Sequence, residues 1–335
     1  MNMLSRNFLF LLLITIKVCS GQLNDSTYAE RLGYPKGARV LILHVDDAGM
    51  SFESNDGAIT AITKGVANSC SVMMPCPWVP GFVKFLKQRP DIDAGLHLTL
   101  TSEWKSYRWV PLAGKNQVPG LTDEEGCLWS NVADVVKHAS ADEVEKEIIA
   151  QIDRAVSMGF KPTHLDSHMG TLFATPEFLQ RYIKVGIEKQ IPVMLPGGHN
   201  SLIQKEIKGT DERINQMRTI GKLLWLSGLP VLDDLHNESY GWKIDSSIKN
   251  DDKKIQAFKT KKYIDAIKSL KPGVTMMIMH CTATTAVFSQ ISDSGLLRKG
   301  DLLAMLDPLL KSSLQQQGII LTTWKELKER RDKVK

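Results

Sequence analysis

The chain has 335 residues, of which 43% are hydrophobic and 24% charged, a balance that excludes disorder and suits a folded globular protein. Its net charge of +5 excludes little. The densest basic stretch, Lys325 to Lys335, is interrupted by Glu326 and Glu329 and reads as a solvated helix face without an aromatic platform.

The first residues place Arg6 before the apolar run Phe8 to Ile16, with small residues at Ser20 and Gly21. This is the layout of a secretory signal peptide over 1–21, cleaved near Gly21 or Gln22, and it predicts export to the periplasm or the cell exterior. The run is far short of the ~20 apolar residues that span a bilayer, and Lys17 interrupts it. Lys17 and Val18 are poor neighbours for lipid attachment at Cys19. No later stretch is apolar and long enough to predict a membrane segment in the mature chain. Its cysteines, Cys70, Cys76, Cys127 and Cys281, lack CxxC spacing and read mainly as core residues, with any pairing unassigned.

A polar leader, 22–38, precedes one predicted domain, 39–335. Val40 to Val45 is an apolar run typical of a strand buried on both faces. A helix follows, capped by Ser54 or Asn55 and stopped by Gly65. Strands are expected at Ser71 to Met74 and Ile92 to Leu100, with a helix at Gly81 to Gln88 between them. Residues 102–140 break the rhythm and predict an insertion covering the site. Its tryptophans, Trp104, Trp109 and Trp129, can either stack on sugar rings or pack the insertion down.

The pattern resumes with a helix at Asp142 to Met158, a strand at Thr163 to Ser167, a helix at Pro176 to Lys189 and a strand at Pro192 to Leu195. Beyond these, a helix at Glu212 to Leu226, a strand at Pro230 to Leu232 and a helix at Asp252 to Leu270 are expected. A strand at Val274 to Met279, a helix at Leu302 to Leu310 and a short element at Gly318 to Leu321 complete the chain. This alternation predicts an α/β fold, a single (β/α) barrel, closed or nearly closed, with the 102–140 insertion over the C-terminal strand ends. No GxGxxG, P-loop or internal repeat is present.

Polar residues gather at those strand ends. His44, Asp46 and Asp47 end the first strand, His97 lies in the third, His164, Asp166 and His168 follow the long helix, and His280 follows the last strong strand. Sites in β/α folds assemble there. Carboxylates and imidazoles in apolar strands are costly unless paired or metal-bound, and a mixed O/N set suits Zn, Mn, Co or Mg.

These residues carry a resemblance. His44-Val45-Asp46-Asp47-Ala48-Gly49, Gly95-Leu96-His97 ahead of Leu100-Thr101, and Pro162-Thr163-His164-Leu165-Asp166-Ser167-His168 resemble, in order and separation, motifs of the YdjC-like carbohydrate deacetylases. That group includes the chitooligosaccharide and hopanoid-biosynthesis deacetylases. Met279-His280-Cys281 stands where the family has Cys-His-Pro.

The resemblance implies a β/α barrel and removal of an acetyl group from an N-acetylated sugar or oligosaccharide. Asp47, His97 and His168 would hold one divalent ion, magnesium or zinc ahead of manganese or cobalt. Asp46 would be the general base and His280 the general acid. Strand spacing, apart from the resemblance, puts Asp166 on one face with His164 and His168, where it either orients His168 or His280 or makes a structural hydrogen bond; His44 is either a pocket lining or a core group, and His164, Trp104 and Trp109 are further candidates for supporting or binding roles. Two rivals are a glycoside hydrolase with paired acids at ~5 to 9 Å, disfavoured because adjacent Asp46 and Asp47 are expected to point different ways, and a metal-retaining sugar-binding protein without turnover.

Overall fold

Alternation along the first strand decides the architecture. In the computed structural model, which describes residues 26–104 and 106–334, β1 spans Arg39–Ala48 and nearly all of it is buried. Leu41, Leu43 and Val45 enter a large apolar cluster with the helices, whereas Val40 and Ile42 enter a second, smaller one. Successive strand side chains point to opposite faces. The second face is therefore the inner one, and further along β1 it turns from apolar to His44 and Asp46.

Every named pairing is parallel. The sheet runs β4 (Leu165–Ser167), β3 (Ala94–Leu98), β2 (Ser69–Val72), β1, β6 (Gly273–Met279), β5 (Asp234–His236), with β7 (Ile320–Leu321) also paired to β1. This is an α/β fold with a parallel sheet bent into a half-barrel. Between the edge strands, the segment 192–196 makes only single bridges, Val193 to Leu165 and Pro196 to Leu232. The strands expected at Pro192 to Leu195 and Pro230 to Leu232 shrink to these contacts, because Pro192, Pro196 and Pro230 lack the amide hydrogens that a ladder needs.

Helices occupy the crossovers. α1 (Tyr28–Arg31) lies in the leader and is tied to the sheet by buried Asp233, which accepts from the amides of Tyr28, Ala29 and Val274. α2 (Phe52–Thr63) starts earlier than expected. Its cap is Ser51, whose hydroxyl accepts from the Ser54 amide, and Asn55 instead fastens Gly49 to Trp78. α3 (Val79–Gln88) precedes β3, and α4 (Val132–His138) and α5 (Ala141–Ser157) precede β4. α6 (Pro176–Lys189) matches its expected span, and α7 (Ser201–Glu206) is an unexpected short helix before α8 (Asp211–Leu226).

After α9 (Asp252–Lys268) and the short α10 (Phe288–Ile291), the helix expected over Leu302 to Leu310 is two, α11 (Gly295–Met305) and α12 (Pro308–Gln316). Pro308 ends the first and opens the second, with Asp307 as its cap. The basic tail is α13 (Trp324–Lys333), buried through Trp324 and Leu327 and laced outside by Lys328–Asp332 and Arg330–Glu326 pairs.

Segment 102–140 contains a 3-10 turn at Pro119–Leu121, one antiparallel bridge and α4. Buried Glu147 of α5 fastens it by accepting from the Leu112 and Ala113 amides. Among the described residues no helix is long and apolar enough to cross a membrane, and all four cysteines are free. The leader read as a signal peptide, with Cys19, lies outside the described residues.

Candidate metal centre and active site

Strand register brings the site together. β3 and β4 pair His97 with Asp166, residues 69 apart in the chain, as direct neighbours on the inner face. His97 Nδ1 lies 2.6 Å from Asp166 Oδ1. Its other nitrogen, Nε2, is 3.3 Å from Asp47 Oδ1. Asp166 thus orients His97, not His168 or His280 as expected. The strand ends at Ser167, and His168 begins a 3-10 turn with left-handed residues at Met169 and Gly170, so alternation no longer governs where it points.

Asp47 reaches the cluster through its backbone. Alternation from the inward Asp46 would send it outward. Instead its φ is 66°, and the β1–β2 register shifts between Val45 and Ala48. Left-handed backbone is rare outside glycine and is tolerated best by Asn and Asp. The two acids therefore do not point apart: Asp46 Oδ2 is 3.8 Å from the same His97 Nε2 that Asp47 approaches.

His168 meets Asp47 Oδ1 through Nδ1 at 3.4 Å, and its Nε2 lies 3.1 and 3.2 Å from the two Glu103 oxygens. Each histidine thus turns one nitrogen to Asp47 and the other to a carboxylate, the support that metal-bound imidazoles usually have. Buried Arg298 donates to Asp47 Oδ2 at 2.5 Å, while Asp47 Oδ1 has no hydrogen-bond partner. One atom from each of Asp47, His97 and His168 lies within 4.8 Å of the other two, and all three residues are buried. An orphaned buried oxygen facing two imidazole nitrogens fits a divalent cation.

Charge explains the electrostatics. Burial raises the Asp47 pKa, but the Arg298 guanidinium and the imidazoles of His168 and His97 outweigh it and hold the carboxyl well below the usual range. Burial lowers His168, yet Glu103 and Asp47 push it up to about 9. His280 is different: burial dominates and holds its imidazole below the ordinary value. Its Nε2 is 3.9 Å from Asp46 Oδ2, its backbone amide donates to Asp301, and its ring meets Tyr240 edge-on at 4.9 Å.

The remaining candidates separate. His44, Asp46 and Asp166 form one buried network, with His164 Nε2 further off at 3.7 Å from Asp166 Oδ2. His164 stacks on Trp324 and packs over Gly95, where a Cβ would stand 2.5 Å from its ring. Trp109 is buried, donates to the Thr101 carbonyl and takes the packing role. Trp104 packs against the apolar core. Glu103 and Arg298 were missed. Neither lies in an alternating strand, and only Glu103 had a signal, its place just after the Leu100-Thr101 motif.

A sequence model for YdjC-like proteins matches residues 40–316. A carbohydrate deacetylase of Thermus thermophilus is 38% identical over 167 residues, 50% of this chain and 57% of that one. One from Brevibacillus brevis is 34% identical over 156 residues, 47% and 59% of the two chains. A chitooligosaccharide deacetylase of Yersinia enterocolitica is 30% identical over 132 residues, 39% and 49%. These matches span about half to three-fifths of the relatives' lengths. A solved Enterococcus faecalis protein, provisionally described as a cellobiose-phosphate cleavage protein, shares the fold with a TM-score of 0.68 at 20% identity, covering 87% of this chain and 99% of its own. With the family model matched across the half-barrel and all of its inner-face polar residues, this chain belongs to the YdjC-like protein family.

Proposed function

We propose that this chain is an exported, metal-dependent hydrolase that removes an acetyl group from an N-acetylated sugar or oligosaccharide. The observation that carries this reading is the orphaned Asp47 Oδ1 facing His97 Nε2 and His168 Nδ1, each ring backed by its own carboxylate. Relatives named as carbohydrate deacetylases support the substrate class. A divalent ion held by Asp47, His97 and His168 supplies Lewis acidity toward a carbonyl oxygen and lowers the pKa of water.

The chain's own residues do the rest. Asp46 Oδ2 takes the proton of the attacking water. His280 rests neutral and collects a proton before it can donate; Asp46 Oδ2, 3.9 Å from His280 Nε2, is placed to pass one on. His280 Nε2 then protonates the departing amine. We assign segment 102–140 to the wall of the substrate pocket, with Glu103 as its contribution to the centre.

A glycoside hydrolase needs two acids facing each other across a bond, whereas Asp46 and Asp47 both approach one imidazole nitrogen. The test is acetate release from N- and O-acetylated sugars by metal-stripped and metal-restored protein. Release that vanishes on stripping and returns with Zn or Mg is expected. Chain cleavage insensitive to chelation would overturn the proposal, and tight sugar binding without acetate would favour a binding protein.

A further inference from the structure

We propose that His44 is a positioning residue that locks the proton-accepting Asp46 to Asp166, the carboxylate that orients His97, so that the base and a metal-holding imidazole keep one fixed relation. The mechanism above does not use His44, yet its ring is fully buried and engaged at both nitrogens. Nδ1 lies 2.9 Å from Ser69 Oγ. Nε2 lies 3.2 Å from Asp46 Oδ1, 3.0 Å from Asp166 Oδ2 and 3.1 Å from Ser71 Oγ.

The choice of oxygens is informative. His44 takes Asp46 Oδ1 and leaves Oδ2 facing His97 and His280, at 3.8 and 3.9 Å. It stands 3.0 Å from Asp166 Oδ2, an oxygen otherwise without a hydrogen-bond partner, while Asp166 Oδ1 faces His97 Nδ1 at 2.6 Å. One ring nitrogen thus stands between two carboxylates, within 3.2 Å of an oxygen of each. Without it, carboxylates from β1 and β4 would share a dry interior with no donor between them, an arrangement that low dielectric makes costly. His164 does not supply the link, since its Nε2 is 3.7 Å from Asp166 Oδ2 and has no hydrogen-bond partner.

The inference rests on the reading of Asp46 as base, and the test separates the two. His44→Leu and His44→Gln are compared with wild type in the full chain for kcat, KM, metal content and thermal unfolding. Losing charge-assisted bonds predicts kcat lower by about ten- to a hundredfold in His44→Leu, with KM within about twofold. The amide of His44→Gln keeps a donor between the carboxylates and is expected to restore most of the rate. Wild-type kcat in folded, metal-loaded His44→Leu overturns the proposal, as does His44→Gln failing as badly as His44→Leu.

A second measurement does not need turnover. In imidazole nitrogen NMR, the His44 Nε2 proton is expected to exchange slowly in wild type and to shift in both Asp46→Asn and Asp166→Asn. A signal unmoved by either change overturns the link even if the His44 variants do not fold. Wild-type protein that releases no acetate from any acetylated sugar would sink the hydrolase reading, and the NMR result would still decide the role of His44.

Discussion

Asp46 and Asp47 differ in what holds them. Arg298 occupies one Asp47 oxygen and leaves the other between two histidines, whereas His44 and Ser71 hold Asp46 by Oδ1 and leave Oδ2 open. Asp46→Asn should therefore cut acetate release by roughly 10²–10⁴-fold, with metal content per chain unchanged by elemental analysis; loss of the metal would make Asp46 a ligand instead. His280 gives a pH prediction. Burial lowers its pKa below 6.5, so the free protein holds it neutral at pH 7. With a neutral His280 as the resting form, kcat/KM should plateau from pH 7 to 8 and fall only on acidification below the ordinary histidine value. A profile that instead declines as pH rises through 6.5 would mean that His280 enters the cycle already protonated.

At the scale of elements, the site is held from behind by close backbone packing. Gly57 of α2 lies against the loop after β6, and a Cβ there would run into the Cys281 carbonyl and stand 2.5 Å from Thr282 Cα. Gly57→Ala should displace the segment that carries His280. The expected result is ~1–3 kcal/mol of lost stability in denaturant unfolding and a larger fractional loss of kcat than of metal binding.

Much of this was legible in the sequence, because a parallel strand buried on both faces is a conspicuous apolar run and its terminal polar residues stand out against it. Four things were not. The His97–Asp166 partnership depends on register between strands far apart in sequence. The inward turn of Asp47 depends on one left-handed φ. Glu103 sits in an aperiodic segment, and Arg298 is an interior residue of a helix. The break before α12, by contrast, was written in Asp307-Pro308 and was overlooked.

Across the whole molecule, segment 102–140 joins the scaffold to the centre. Glu147 grips it from α5, Trp109 pins it to the Thr101 carbonyl, Trp129 braces it internally on the Gly120 carbonyl, and Glu103 extends from its start to His168. The Glu103 contact makes the docking of a 39-residue excursion and the capture of an ion a single thermodynamic account. If docking strengthens His168 as a ligand, linkage requires an ion to strengthen docking by the same factor. Limited proteolysis should therefore cut within 102–140 more slowly when Zn is added, and Glu103→Gln should weaken both ion affinity and that protection. Equal cleavage with and without the ion would show the two to be independent. Under this coupling, the chain would not complete the proposed wall of its pocket until it met a metal, so on the proposed export an ion met after translocation would act as its last folding partner.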